Sequence, residues 1–293
     1  MIKLIASDMD GTLLNSHSLI SEENKQAILH AKKQGIEFMV ATGRGRGEVL
    51  PVLKKAGLTL PMITANGAQA FDEKGDNLFT ISFEKEVAKK AIALLRKHHL
   101  YFELATSKGI FSESHIKRIT STSYYLKKAH PMISPKLAIA MTAAHLELLH
   151  VQFVEDFTPI IEDPEIKILK IIAFGIQEAG AFTAVKKELA KLPNLTVTSS
   201  DKNNLEVNPL GAEKGLAVSR IAKEKGISLD EVMTIGDNFN DISMLRIAGV
   251  SYAMENGPKE VHEQAKFLAK ANNEHGVAKA IYEVLNEKNP QTH

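Results

Sequence analysis

The sequence predicts an α/β protein: a doubly wound, mainly parallel sheet of the Rossmann-like kind, split by an inserted α+β domain. Three observations predict it. Short apolar runs alternate with helical patterns up to about Phe83, as in strand-helix-strand units. Between Glu84 and about Asp201 that texture changes, and after it the alternation resumes. The 293 residues suit two domains, since roughly 100–200 residues make one. The expected bounds are 1–83 with 202–293 for the core and 84–201 for the insertion.

Each element has its own signal. Ile2 to Ala6 is a short apolar run and reads as a buried strand; Glu22 to Gln34 repeats Ala27, Ile28 and Ala31 on one helical face and stops at Gly35. Ile36 to Ala41 reads as a second strand, Glu48 to Ala56 as a helix interrupted by Pro51, and Pro61 to Ala65 as a third strand. Asp72-Glu73-Lys74-Gly75-Asp76 carries hairpin-turn chemistry. The insertion reads as helix Glu86 to His98, strand Tyr101 to Thr106, a polar stretch at Thr120 to Ser123, strand Ile166 to Phe174 and helix Ala179 to Leu192. The resumed alternation comprises helix Leu216 to Lys225, strand Glu231 to Ile235, helix Asn240 to Ala248, strand Val250 to Met254 and helix Val277 to Asn286. No internal repeat or low-complexity linker interrupts it.

Composition narrows the function. Apolar residues make up 44% and charged residues 24%, ordinary values for a folded globular chain. Lys plus Arg number 36 against 35 Asp plus Glu, so no overall field draws the protein to nucleic acid or anionic lipid, and neither is expected as a partner. With no cysteine, thiolate metal sites, disulfides and cysteine nucleophiles are excluded, and any metal is held by oxygen or imidazole. The 11 histidines form no ligand spacing such as HExxH. Neither a secretory signal nor an apolar run of about 20 residues is found, and a cytoplasmic location is expected.

Four segments carry chemistry, each placed where a parallel sheet presents its carboxyl edge to a ligand. Asp8-Met9-Asp10-Gly11-Thr12 directly follows the first strand. Residues i and i+2 of an extended strand point the same way, so Asp8 and Asp10 are expected to share a crevice, where two carboxylates can bind a hard cation and do acid/base work; the plainer reading is a solvated turn. Thr42-Gly43-Arg44 follows the second strand and offers a hydroxyl and backbone N–H groups to a phosphate oxygen, or is an ordinary strand-to-helix turn. Lys214 stands just ahead of a helix, and alone reads as a solvated charge. Gly236-Asp237-Asn238-Phe239-Asn240-Asp241 packs carboxylates and amides at a helix start, more than an N-cap needs. No dinucleotide or P-loop spacing occurs among the glycines.

Taken together and in this order, the four segments resemble the motifs of the haloacid dehalogenase-like phosphohydrolases, and within them the Cof-type sugar-phosphate phosphatases with a large type-two cap. Asn66-Gly67-Ala68, Glu255-Asn256-Gly257 and Asn273 to Ala278 are similar to Cof-type stretches too. The resemblance implies a Mg²⁺-dependent phosphatase of small soluble phosphomonoesters. Asp8 would be the nucleophile and Asp10 the general acid/base. Asp8, the Asp10 backbone carbonyl and Asp237 would hold Mg²⁺. Thr42, Lys214, Asn240 and the N–H groups of Met9 and Gly43 would bind the phosphoryl oxygens. Asp241 would orient Lys214 or a metal-bound water; Arg44 either touches substrate or caps the crevice. Specificity would come from the inserted cap, with Tyr101 to Ser112 and Thr198 to Asn204 as candidate segments. Two other readings stay open: a phosphoryl transferase or mutase of the same superfamily, and a non-catalytic phosphate-binding regulator. Substrate identity and oligomeric state are not legible.

Overall fold

The structure, a computed structural model, describes residues 1–145, 151–175, 182–199 and 203–285. It opens with strand β1 (Leu4–Ser7), all four residues buried, followed at once by a wide turn over Met9–Leu13. Helix α1 (Glu22–Lys33) starts where the Ser21 side chain accepts the Asn24 N–H and places two glutamates in its first turn, against the positive end of the helix. Next come β2 (Glu37–Ala41), α2 (Arg46–Ala56), β3 (Met62–Thr64) and a hairpin of β4 (Gln69–Phe71) and β5 (Asn77–Thr80). Helix α2 starts at Arg46, ahead of the expected Glu48, because the Glu48 side chain reaches back to accept the Gly45 N–H; it then runs through Pro51 and ends at left-handed Gly57. In the hairpin, the Asp72 carboxylate accepts the Asp76 N–H at 2.8 Å, closing the turn.

The chain divides into two compact units, Met1–Ile81 with Gly211–His293, and Ser82–Leu210. The second unit contains α3 (Lys85–Lys97), β6 (Tyr101–Thr106), β7 (Gly109–Ser112), α4 (His115–Ala129), α5 (Pro135–His145), β8 (Val151–Phe153), α6 (Thr158–Glu162), β9 (Ile168–Phe174), α7 (Thr183–Leu189), β10 (Leu195–Thr198) and β11 (Asn204–Pro209). Its strands form one sheet in the order β10-β11-β9-β6-β7-β8, antiparallel except for β7 with β8. Val87, Ala91 and Leu95 of α3 and Val185 and Leu189 of α7 cover one face, against Phe102, Leu104, Ile171, Ala173 and Val207. The polar stretch Thr120 to Ser123 lies inside α4, where the Thr120 hydroxyl donates to the Ile116 carbonyl one turn back. The expected start of α7, residues 179–181, lies outside the described residues, as does the junction expected between 201 and 202. Asn204–Pro209, expected in the core domain, belongs instead to the second unit, since β11 pairs with both β9 and β10.

The first unit resumes with α8 (Lys214–Glu224), β12 (Val232–Gly236), a short 3₁₀ turn at Phe239–Asp241, α9 (Ile242–Ile247), β13 (Val250–Met254), α10 (Lys259–His262), β14 (Phe267–Ala269) and α11 (Gly276–Val284). Asn286, the expected end of that helix, lies outside the described residues. The sheet order is β14-β13-β12-β1-β2-β3-β4-β5, parallel from β14 to β3 with β4 and β5 antiparallel. Alternate strand residues feed two cores: Ile5, Phe38 and Val40 meet α1, α2 and α11, while Leu4, Ala6, Met39 and Ala41 meet α8 and α9. Helices on both faces explain why the strands read as unbroken apolar runs. The chain leaves β1 toward β2 on one side and returns to β12 on the other, and that reversal opens a crevice at the carboxyl ends of β1 and β12. Among the described residues no helix is long and apolar enough to cross a membrane.

Candidate active site

The aspartates, Thr42 and Lys214 that the sequence singles out stand at this carboxyl edge. Asp8 follows the last residue of β1, with its backbone N–H on the Ile235 carbonyl of β12 at 2.9 Å. The strand geometry expected to carry on to Asp10 is absent: residues 9–13 form a wide turn, closed by Leu14 N–H on Met9 O at 2.8 Å, with Gly11 at φ +76°. Strand alternation therefore does not bring Asp8 and Asp10 together; the turn does the aiming. A Cβ at Gly11 would run into the Asp237 carboxylate, so only glycine fits. The Met9 side chain is buried in the core and its backbone begins the turn.

Lys214 is the first residue of α8, inside the helix that was expected to begin near Leu216, and it is fully buried. Its Nζ donates to Asp8 Oδ1 and to Asp241 Oδ1, each at 2.6 Å. The other Asp241 oxygen accepts the N–H groups of Asp237 and Asn238 at 2.9 and 3.0 Å. Both oxygens of Asp241 are thus committed. Asp237, at the end of β12, accepts the Thr12 hydroxyl on Oδ1 at 2.9 Å. Thr42 is buried at the end of β2, and its Oγ1 accepts the Arg44 N–H at 3.2 Å. Gly43 sits between them, partly exposed. Asp10 is gripped by Arg44 through two bonds, Nη2 to Oδ1 at 2.6 Å and Nε to Oδ2 at 2.7 Å.

The electrostatics follow from crowding. Asp8, Asp10, Asp237 and Asp241 face one buried ammonium and one guanidinium. Burial, and then the charges of Asp241, Asp237 and Asp10, push the Asp8 carboxyl well above its ordinary range in spite of Lys214. Burial and Asp241 push Asp237 up to about 7. Lys214 moves the other way from a buried lysine: burial alone would lower it, but Asp241 and Asp8 more than restore its charge and raise it. Both partners of the Lys214–Asp8 pair are raised, because burial and the neighbouring carboxylates disfavour charge on Asp8 while Asp241 and Asp8 favour it on Lys214. The surplus of two formal negative charges is what a divalent cation balances. Asp8, Asp237 and Asp241 each offer an oxygen within 4.8 Å of the others. With Asp241 committed, the oxygens without a donor among the described residues are Oδ2 of Asp8 and Oδ2 of Asp237. An all-oxygen, doubly negative donor set fits Mg²⁺.

Three residues in this site had no role assigned from sequence. Thr12 holds Asp237. Asn256 Nδ2 donates to the Gly11 carbonyl at 2.8 Å and so steadies the turn. Asn66 Oδ1 accepts from Asn240 Nδ2 at 3.2 Å. The signal for the two asparagines lay in the stretches Asn66-Gly67-Ala68 and Glu255-Asn256-Gly257, which carry a resemblance but no chemistry of their own in one dimension.

A doubly wound sheet whose carboxyl edge gathers buried aspartates and a buried lysine defines the class, an α/β enzyme. A profile of the haloacid dehalogenase-like hydrolases matches residues 5–281, and the chain belongs to that family. Among curated relatives, Phosphatase YwpJ of Bacillus subtilis (strain 168) is 31% identical over 97% of this chain and 100% of its own length. The 5-amino-6-(5-phospho-D-ribitylamino)uracil phosphatase YwtE of the same organism is 32% identical over 97% of this chain and 98% of its own. A solved structure of a haloacid dehalogenase-like hydrolase from B. subtilis aligns with a TM-score of 0.87 at 30% identity, covering 97% of this chain and all of that one, 100%. By enzyme class the chain is a phosphatase.

Proposed function

We propose that the protein hydrolyses small phosphomonoesters, sugar phosphates or phosphorylated cofactors and metabolites, in a Mg²⁺-dependent reaction through an aspartyl phosphate. One observation carries the reading: a buried carboxylate, Asp8, has one oxygen held by Lys214 and the other without a donor, beside Asp237. Asp8, the Asp10 carbonyl and Asp237 would hold Mg²⁺, which would supply positive charge to offset that of the phosphoryl group. Lys214 holds the Asp8 carboxylate, which attacks phosphorus while the bond to the ester oxygen breaks. Asp10 exchanges its Arg44 partner for that oxygen, taking up a proton from solvent and passing it on. In the second half, Asp10 takes a proton from water as the water oxygen attacks the aspartyl phosphate; the bond to Asp8 breaks and inorganic phosphate leaves. The Thr42 hydroxyl, the N–H groups of Met9 and Gly43, Lys214 and Asn240 bind the phosphoryl oxygens, where most of the catalytic stabilisation acts.

The relative YwtE is named for a phosphorylated ribitylamino-uracil, which places phosphorylated polyols and cofactor precursors beside sugar phosphates on the substrate panel. A cytoplasmic setting and independence from nucleic acid accompany the proposal. The test is steady-state hydrolysis of an aryl phosphate, then of the panel by phosphate release, with and without Mg²⁺, in the parent and in a folded Asp8→Asn variant. Metal-dependent turnover that disappears in the variant is expected; full activity in Asp8→Asn overturns the reading.

A further inference from the structure

The turn joining β3 to β4 is costly to make. Ala65, Asn66 and Gly67 are consecutive left-handed residues, at φ +50°, +57° and +98°, a conformation that a residue bearing a Cβ avoids. Just ahead of it, the Thr64 hydroxyl is buried without a hydrogen-bond partner among the described residues. Strain and an unsatisfied polar group persist only where surrounding structure imposes them, and such spots cluster at functional sites.

The contacts of this turn show what imposes it. The Ala65 N–H donates to the Arg44 carbonyl at 2.8 Å and the Asn66 N–H to the Thr42 carbonyl at 3.0 Å. Gly67 lies so close to the backbone of Glu213, the residue before Lys214, that a Cβ would collide with it. The Asn66 side chain, 3% exposed, takes one N–H of the Asn240 carboxamide at 3.2 Å. One turn therefore braces the Thr42 loop, the start of α8 and Asn240, which come from three separate stretches of chain.

We infer that Asn66 is a positioning residue for phosphoryl recognition: its carboxamide oxygen fixes the plane of the Asn240 amide so that the second N–H on Asn240 Nδ2 is presented to a phosphoryl oxygen. An amide nitrogen and its two hydrogens are coplanar, so committing one N–H sets the direction of the other. The left-handed backbone is what allows so short a side chain to reach across; asparagine tolerates that conformation far better than most residues. The inference rests on Asn240 being a phosphate ligand, as proposed above.

The experiment measures binding of inorganic phosphate in the presence of MgCl₂ by calorimetry, together with kcat and KM, for the parent, Asn66→Gly, Asn240→Ala and the double variant. Glycine keeps the left-handed backbone and deletes only the amide. Asn240→Ala is expected to weaken phosphate binding about tenfold in the parent, the scale of one hydrogen bond to a charged group. In the Asn66→Gly background it is expected to cost less than twofold, because the amide it removes is no longer aimed. In an Asn66→Asp background, which keeps an acceptor at the same place, the full cost returns, and this variant replaces the glycine one as the test if Asn66→Gly does not fold. Equal cost of Asn240→Ala in the Asn66→Gly background and in the parent overturns the inference, as does no cost in the Asn66→Asp background. Phosphate binding that ignores Asn240 altogether overturns it too. Loss of turnover in Asp8→Asn, measured alongside, tests the phosphatase reading by itself.

Discussion

Lys214 is the residue on which the site balances. Without exposed surface, it donates to the carboxylates of Asp8 and Asp241, each at 2.6 Å. Replacing it by methionine keeps its length and removes its charge, leaving Asp8 and Asp241 without their cation. We expect Lys214→Met to cost about 3–5 kcal/mol in the metal-free protein, read as a shift of the urea midpoint, with MgCl₂ restoring part of it. Asp237 gives the pH dependence. A carboxyl that titrates near 3.8 when unfolded and at about 7 when folded binds its proton more tightly in the folded state. The metal-free protein therefore loses stability as pH rises through that window, and below it the contribution is fully present. A cation competes with that same proton, so the thermal shift produced by MgCl₂ is expected to grow between pH 5 and pH 8, and Asp237→Asn to flatten both trends. A shift of equal size at the two ends of this pH range would remove Asp237 from the cation site.

At the scale of elements, the start of α8 is held by proximity to α9. A Cβ on Gly215 would press into the backbone of Ser243 and Met244. Gly215→Ala is expected to cost about 1–3 kcal/mol by overpacking and to lower kcat as well, because the residue pushed aside is the neighbour of Lys214; unchanged denaturation and turnover would contradict this. The same comparison shows what one dimension reveals. Strands such as β1, β2, β12 and β13, covered on both faces, appear as apolar runs that stop at a polar residue, so the sheet and its carboxyl edge were legible together. The second unit was harder to read. Its strands carry Glu103, Lys170 and Glu206, which interrupt an apolar pattern yet are buried because they pair, Lys170 with Glu206 at 3.1 Å and Glu103 with Arg118 at 2.7 Å. A charged residue does not announce its partner in sequence. For the same reason Asp8, Asp237 and Lys214 could be placed from motif and edge, whereas the grip of Arg44 on Asp10 and of Asn66 on Asn240 could not.

Across the whole molecule, each unit has its own hydrophobic interior. Calorimetry is expected to resolve two unfolding transitions, of which MgCl₂ raises only the one belonging to Met1–Ile81 with Gly211–His293. A single transition that moves as one would show instead that the units unfold together. Glu206→Gln, breaking the buried Lys170 pair, is expected to lower the other transition, by about 3–5 kcal/mol, without touching the metal effect. The position of β1, with β2 on one side and β12 on the other, matters before the protein is complete. On the ribosome β2 emerges soon after β1, but β12 follows only once the whole of Ser82–Leu210 and α8 have been made. At about 5–20 residues per second, an apolar strand waits on the order of ten seconds with one hydrogen-bonding edge uncovered. During that interval the nascent chain carries Asp8 but not the lysine that pairs with it, and the edge of Leu4–Ser7 that β12 will cover stays open.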